Sequence, residues 1–291
     1  MAQTTATLTN WGRWGPGDEL GALNLIGAAQ VQKAARLVKR GRVYSLSVPL
    51  SRDGPQWPLR HKTWQVTTHR NDPSPGGTGG CDDVLTMHSH SGTHMDALCH
   101  VWYDSKMYNG YDVEANVTSL GTGKNAIANV RALVGRGVLL DVARFLGVDH
   151  LDKGQQITSR QLDDCAQAQK VAIEPGDVVL VRTGWMRLFA SDRALFDSGE
   201  PGVNGECVRW VKAHDVVAVG ADNHGVEAMA VIPPARLPFH LGAIRDLGVY
   251  LLENLDLEEL AADHAYEFLL IVAPLRLPTG VGSPINPVAI A

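Results

Sequence analysis

The stretch that most restricts this chain is His88-Ser89-His90-Ser91-Gly92-Thr93-His94-Met95-Asp96-Ala97-Leu98-Cys99-His100, in which four histidines and one aspartate fall within thirteen residues. Imidazole nitrogens and carboxylate oxygens suit zinc, manganese or iron(II), and a cluster this dense has no ready explanation as packing. His90, His94 and Asp96 form an H-x-x-x-H-x-D set. A continuous helix would turn Asp96 away from the two histidines, and Gly92 is poor in a helix interior. Residues two apart share a face of an extended segment. The pattern therefore predicts a strand over residues 85–90, a bend at 91–93 and a short return at 94–96, with three ligands on one side and open positions for water and substrate. A closed structural zinc site would normally show four ligands, often cysteines.

The rest of the sequence limits the other possibilities. The 291 residues carry 45% hydrophobic and 20% charged side chains, enough to bury the core of one large α/β unit. The formal net charge is −5 and no basic run stands out, which argues against a nucleic-acid partner. Apolar stretches such as residues 268–274 are too short to cross a bilayer. The opening residues 1–10 are polar and lack an apolar signal core. Cys81, Cys99, Cys165 and Cys207 are scattered and form no C-x-x-C pair, so the expectation is a cytoplasmic protein with reduced thiols.

Periodicity predicts helices over 28–40, 159–169, 208–214 and 257–262, the second capped by Thr158 or Ser159. Strands are predicted over 43–50, 61–69, 137–142, 178–183, 216–220, 247–252 and 267–273. Residues 11–26, with Trp11 and Trp14 among glycines, read as an ordered N-terminal arm that caps a pocket, lies in an interface or packs on the core. Residues 71–80 read as a flap beside the motif or an inert surface loop; no Gly-Lys-Ser/Thr follows, so they are not a phosphate loop. Trp102, Tyr103 and Tyr108 follow the motif closely and suggest a wall for a planar substrate, with Trp64 and His224 as further substrate-contacting candidates. His224 otherwise caps the turn after the 216–220 strand, and His88 is either beside His90 or exposed and idle. Cys99 adjoins His100, but neighbours on an extended segment point oppositely, which disfavours a Cys–His pair.

The pattern H-x-G-T-H-x-D-A-x-x-H, carried here by His90, Gly92, Thr93, His94, Asp96, Ala97 and His100, resembles the signature of the cyclase-like metal-dependent hydrolases, a family that includes bacterial kynurenine formamidases and isatin hydrolases. The family commonly has proline after the alanine, where this chain has Leu98. The resemblance implies a mixed α/β fold, a single swivelling cyclase-like domain over 1–291 with the metal on the inner side of the sheet. It implies a divalent metal, zinc or manganese, as one or two ions. By that likeness Asp96 bridges, while His240 and Glu253 complete a second site and His100 is the catalytic histidine. Glu253 ends an apolar strand and needs a partner in any case; the alternatives are an ion pair for Glu253, an exposed or supporting position for His240, and a fourth ligand for His100. The expected activity is hydrolysis of an aryl formamide or cyclic amide by metal-activated water, with His100 as general acid–base. A lactone hydrolase or metal-assisted lyase would use the same residues, and a non-catalytic metal-binding protein is the reading from another class. The expected partners are a small aromatic or cyclic substrate and other copies of the chain, as a homodimer or homotetramer, with no membrane.

Overall fold

The apolar runs Leu133–Asp141, Val178–Arg182, Ala218–Ala221 and Tyr250–Glu253 fold as four adjacent parallel strands. Parallel strands covered on both faces read as continuous rather than alternating hydrophobic sequence, and every residue of the last three is buried. The structure is a computed structural model and describes residues 8–234 and 236–291; the first seven residues of the polar opening expected at 1–10 lie outside it.

Antiparallel strands extend this core on both sides. Glu267–Val272 pairs with Leu133–Asp141, followed outward by Val288–Ile290 and Val43–Ser45. On the other side His94–Asp96 pairs with Tyr250–Glu253, and Gly282–Pro284 closes the edge. The result, among the described residues, is one nine-stranded mixed sheet with helices packed on it, a mixed α/β architecture. Ser159–Gln169 is capped by Thr158, whose hydroxyl accepts from Gln161 N while the Gln161 side chain reaches back, a reciprocal cap. No helix among the described residues is long and apolar enough to cross a membrane.

Three local expectations are corrected. The helix expected over 28–40 stops at Ala35, and the strand expected over 43–50 pairs only to Ser45, leaving one bridge from Ser47 to Leu255. The strand expected to reach His90 ends at Thr86. It belongs to a hairpin, Trp64–Asn71 with Gly79–Thr86, which is exposed on nearly every residue. His88 to Thr93 is instead a turn, closed by Ser91 N donating to His88 O at 3.1 Å. The segment read as a flap or an inert surface loop is therefore the tip of this hairpin. Trp11 settles on the core: its indole donates to Arg245 O at 2.8 Å, and the Arg245 guanidinium lies 4.4 Å from its ring centre.

Candidate metal centre

The antiparallel register sets Glu253 opposite His94 and Asp96 opposite Gly282. Asp96 and Glu253, 157 positions apart in the sequence, thus share one patch of sheet, at the carboxyl end of the Tyr250–Glu253 strand, where open α/β sheets place their ligands. The motif's Gly92 takes φ +62°, a left-handed value that glycine adopts without strain. Its carbonyl accepts from His94 Nδ1 at 2.8 Å and from Asn254 Nδ2 at 3.2 Å, while Thr93 Oγ1 donates to Asn254 O at 2.6 Å. The Gly-Thr pair therefore ties the bend to the end of the Glu253 strand. Gly282 is needed for space: a Cβ there would stand 2.4 Å from His90 Nε2.

With Nδ1 committed to Gly92, His94 Nε2 points at two carboxylates, 2.9 Å from Glu253 Oε2 and 3.7 Å from Asp96 Oδ1. His90 Nε2 lies 3.3 Å from Asp96 Oδ1. Asp96 is fully buried, and neither of its oxygens has a hydrogen-bond partner among the described residues; His90 Nε2 and His94 Nε2 are unpartnered too. Burial lifts the Asp96 carboxyl above its ordinary range and pushes the His90 imidazole well down. Burial also works to raise Glu253, but the imidazoles of His94 and His240 outweigh it and hold it well below the usual carboxylate range. Buried acceptors that converge without donors are costly unless a positive charge sits between them. Two ligand sets, His94–Asp96–Glu253 and His90–Asp96–His100, meet this geometry, each with its atoms within 4.8 Å of one another and Asp96 in common. Their donor chemistry, imidazole with carboxylate, fits a divalent transition metal.

His240 joins the cluster through Glu253: its Nε2 is 2.9 Å from Glu253 Oε1. Its Nδ1 is 2.6 Å from Glu227 Oε1, and its backbone N–H donates to the same oxygen. A carboxylate on the far nitrogen orients and strengthens a ligating imidazole. Burial works to lower His240, yet Glu227 and Glu253 carry it well above the ordinary histidine value. Glu227 was not legible in the sequence; the one available signal was that a buried histidine needs a partner. Glu200 was missed as well. It is fully buried, accepts from His224 N at 2.7 Å and leaves Oε1 unpartnered, and burial raises its carboxyl well above the ordinary value.

His100 is the least buried member of the group. Its ring lies 4.2 Å from that of His90, and its Nε2 is 4.0 Å from Asp96 Oδ2. Burial lowers its pKa, against the pull of Asp96 and Glu253. With Val101, Trp102, Pro234, Leu237 and Leu241 it lines a cleft of about 370 Å³. Of the expected aromatic wall, Trp102 lies here. The Tyr103 hydroxyl is instead spent on Asp246 at 2.8 Å, and the fully buried Tyr108 donates to Asp18 at 2.8 Å. Trp64 stands half-exposed at the base of the hairpin. His224 is buried against Phe196, its ring centre 4.6 Å away and its Nε2 3.5 Å from Asp197 Oδ1. His88 stacks on His61 at 5.9 Å. Burial pushes the Cys99 thiol up to about 12, which leaves it inert as a nucleophile.

Residues 44–228, more than half of the chain, match the family model Cyclase, described as "Putative cyclase". The chain belongs to the Cyclase family. The match contains the whole His90–His100 motif and stops before His240 and Glu253. A crystal structure described as a novel cyclase superposes with a TM-score of 0.90 at 36% identity, over 98% of this chain and 100% of the other. Isatin hydrolase of Roseibium aggregatum is 26% identical over 216 residues, 71% of this chain and 73% of that protein. An isatin hydrolase crystallised with the product analogue thioisatinate shares the fold, with a TM-score of 0.64 at 23% identity over 91% of this chain and 99% of the other.

Proposed function

We propose that this cyclase-family chain is a metal-dependent hydrolase that opens the C–N bond of an aryl formamide or cyclic amide. The observation that carries the reading is the buried convergence of His94 Nε2 on the Asp96 and Glu253 carboxylates, with neither Asp96 oxygen accepting a hydrogen bond among the described residues. In this reading His90, His94 and Asp96 hold one divalent cation, zinc or manganese, and Glu253 with His240 completes the site or holds a second. A cation held there would polarise a carbonyl and lower the pKa of water, supplying hydroxide as the nucleophile near neutral pH. Glu227 keeps the His240 ring turned toward the cluster, and Gly92 does the same for His94.

The remaining work falls to the cleft. Trp102, Leu237 and Leu241 offer an apolar wall to a flat ring. His100 stands between that wall and Asp96, reachable from the cleft and four residues past the ligands. Its lowered pKa leaves it neutral near pH 7, able to take a proton from attacking water and return it to the departing nitrogen. The cyclic-amide relative, isatin hydrolase, supports an amide over a lactone.

The test is turnover of formanilide and isatin by protein loaded separately with zinc and with manganese, with bound metal counted by mass spectrometry. Metal-dependent hydrolysis of either compound is expected. Turnover of a lactone such as dihydrocoumarin without either amide would move the reaction to lactones, and no turnover of any of them by fully loaded protein would reject the reading.

A further inference from the structure

A second hollow, of about 460 Å³, is lined in part by Arg60, whose guanidinium reaches the His90 backbone. Its lining includes four cations, Arg52, Arg60, Lys62 and Arg193, and two carboxylates, Asp53 and Asp197. Lys62 pairs with Asp53, and Arg193 Nε with Asp197 Oδ2 at 2.6 Å. That leaves Arg52 and Arg60. Arg52 is exposed, whereas Arg60 is partly buried, and the one hydrogen bond its guanidinium makes among the described residues is Nη1 donating to His90 O at 2.6 Å. A guanidinium has five N–H donors in a fixed fork, so the others face the hollow. Among the described residues no carboxylate pairs with Arg60, and a partly buried guanidinium held by a single carbonyl favours an anion beside it.

We propose that this hollow is an anion subsite in which Arg60 receives a carboxylate carried by the substrate. The assignment of a substrate group rests on the hydrolase reading; the anion site itself does not. Guanidinium and carboxylate match as a two-pronged pair, which makes the substrate class an amide bearing an acid group.

Calorimetric titration of metal-loaded protein with benzoate, and with benzamide as its neutral counterpart, tests the site without requiring turnover. Wild type should bind benzoate more tightly than benzamide. Arg60→Gln should weaken benzoate by roughly 10- to 100-fold, the cost of a lost charged hydrogen bond, with benzamide binding and metal content unchanged. Arg60→Lys should recover part of the loss, and His94→Ala, stripped of metal, should still bind benzoate. Benzoate affinity equal to that of benzamide, or unchanged in Arg60→Gln, overturns the proposal. So does benzoate binding that disappears in His94→Ala but persists in Arg60→Gln, which would place the carboxylate on the metal. Loss of metal together with benzoate binding in Arg60→Gln would make Arg60 a prop for His90 and also overturn it. Failure of formanilide and isatin as substrates would reject the hydrolase reading and leave this result standing.

Discussion

Asp96 ends one strand of the sheet and Asp222 follows another; both are fully buried, and burial raises both carboxyls. Their surroundings differ. Asp222 Oδ1 accepts from Thr183 N at 2.8 Å and Thr183 Oγ1 at 2.6 Å, and Oδ2 accepts from Gly184 N at 2.8 Å. Asp96 accepts no hydrogen bond and faces imidazole nitrogens instead. The first is a complete joint that stitches two strand ends together. The second, in the proposed reading, is completed by a cation. Burial of a carboxylate therefore says little about its task; what decides is whether donors or ligands surround it.

The largest expected effect tests the second half of that contrast. His94→Ala should abolish metal binding and metal-dependent hydrolysis while the protein stays folded, as read by metal analysis and circular dichroism. A folded variant that keeps its full metal content would break the contrast. Next in size is His100→Asn, which should keep its metal and most substrate binding but lose ~100- to 10,000-fold in kcat. Loss of metal in that variant would make His100 a ligand through the His90–Asp96–His100 set.

Metal removal separates the two aspartates more finely. Chelation should lower wild-type stability by roughly 4 kcal/mol when free metal had stood at about a thousand times its Kd, and should leave His94→Ala unmoved in thermal unfolding. Asp222→Ala should do the reverse. It strands the donors at Thr183 and Gly184 and should cost roughly 3 kcal/mol of stability with metal content intact. A loss of metal in Asp222→Ala would merge the two sites into one.

The last effect, no larger than that of Asp222→Ala, is a matter of pH. Asp222 is pushed up to about 6 from an ordinary 3.8, burial outweighing its hydrogen bonds. Because the folded value is raised, the stability this group contributes is present below pH 4 and is lost as pH rises through about 6. The loss amounts to roughly 3 kcal/mol, two units at about 1.4 kcal/mol each. In unfolding measured by denaturant from pH 4 to pH 7, Asp222→Asn should lack this decline. A parallel pH profile for wild type and variant would show that Asp222 ionises normally.

The candidate site divides along sequence distance. His90, His94 and Asp96 were legible because their spacing is local: six residues cannot separate far once a bend is required at Gly92. Glu253 was legible as a carboxylate ending an apolar run, which must find a positive charge. Most core strands were legible too, because a strand covered on both faces has to be apolar throughout. The path to His90 was not. Alternation suggested a strand to that residue, but residues 79–86 pair with 64–71 and the chain turns at His88. Likewise the wide helical turn Leu241–Leu247, introduced by Pro238–His240, carried a proline at its start but no periodic stripe that separated it from a loop.

By its own residues the sequence determined the donor types of the candidate site, the bend that gathers three of them, the core strands and the family. Tertiary structure alone decided that Glu227 would orient His240, that Tyr103 and Tyr108 would be spent on Asp246 and Asp18, and that Arg60 would be left facing a hollow. The reason is physical: ligand spacing is set by bond lengths within a few residues, whereas a partner for a buried polar group is chosen by strand register and by which loops happen to cross it, and neither leaves a local pattern.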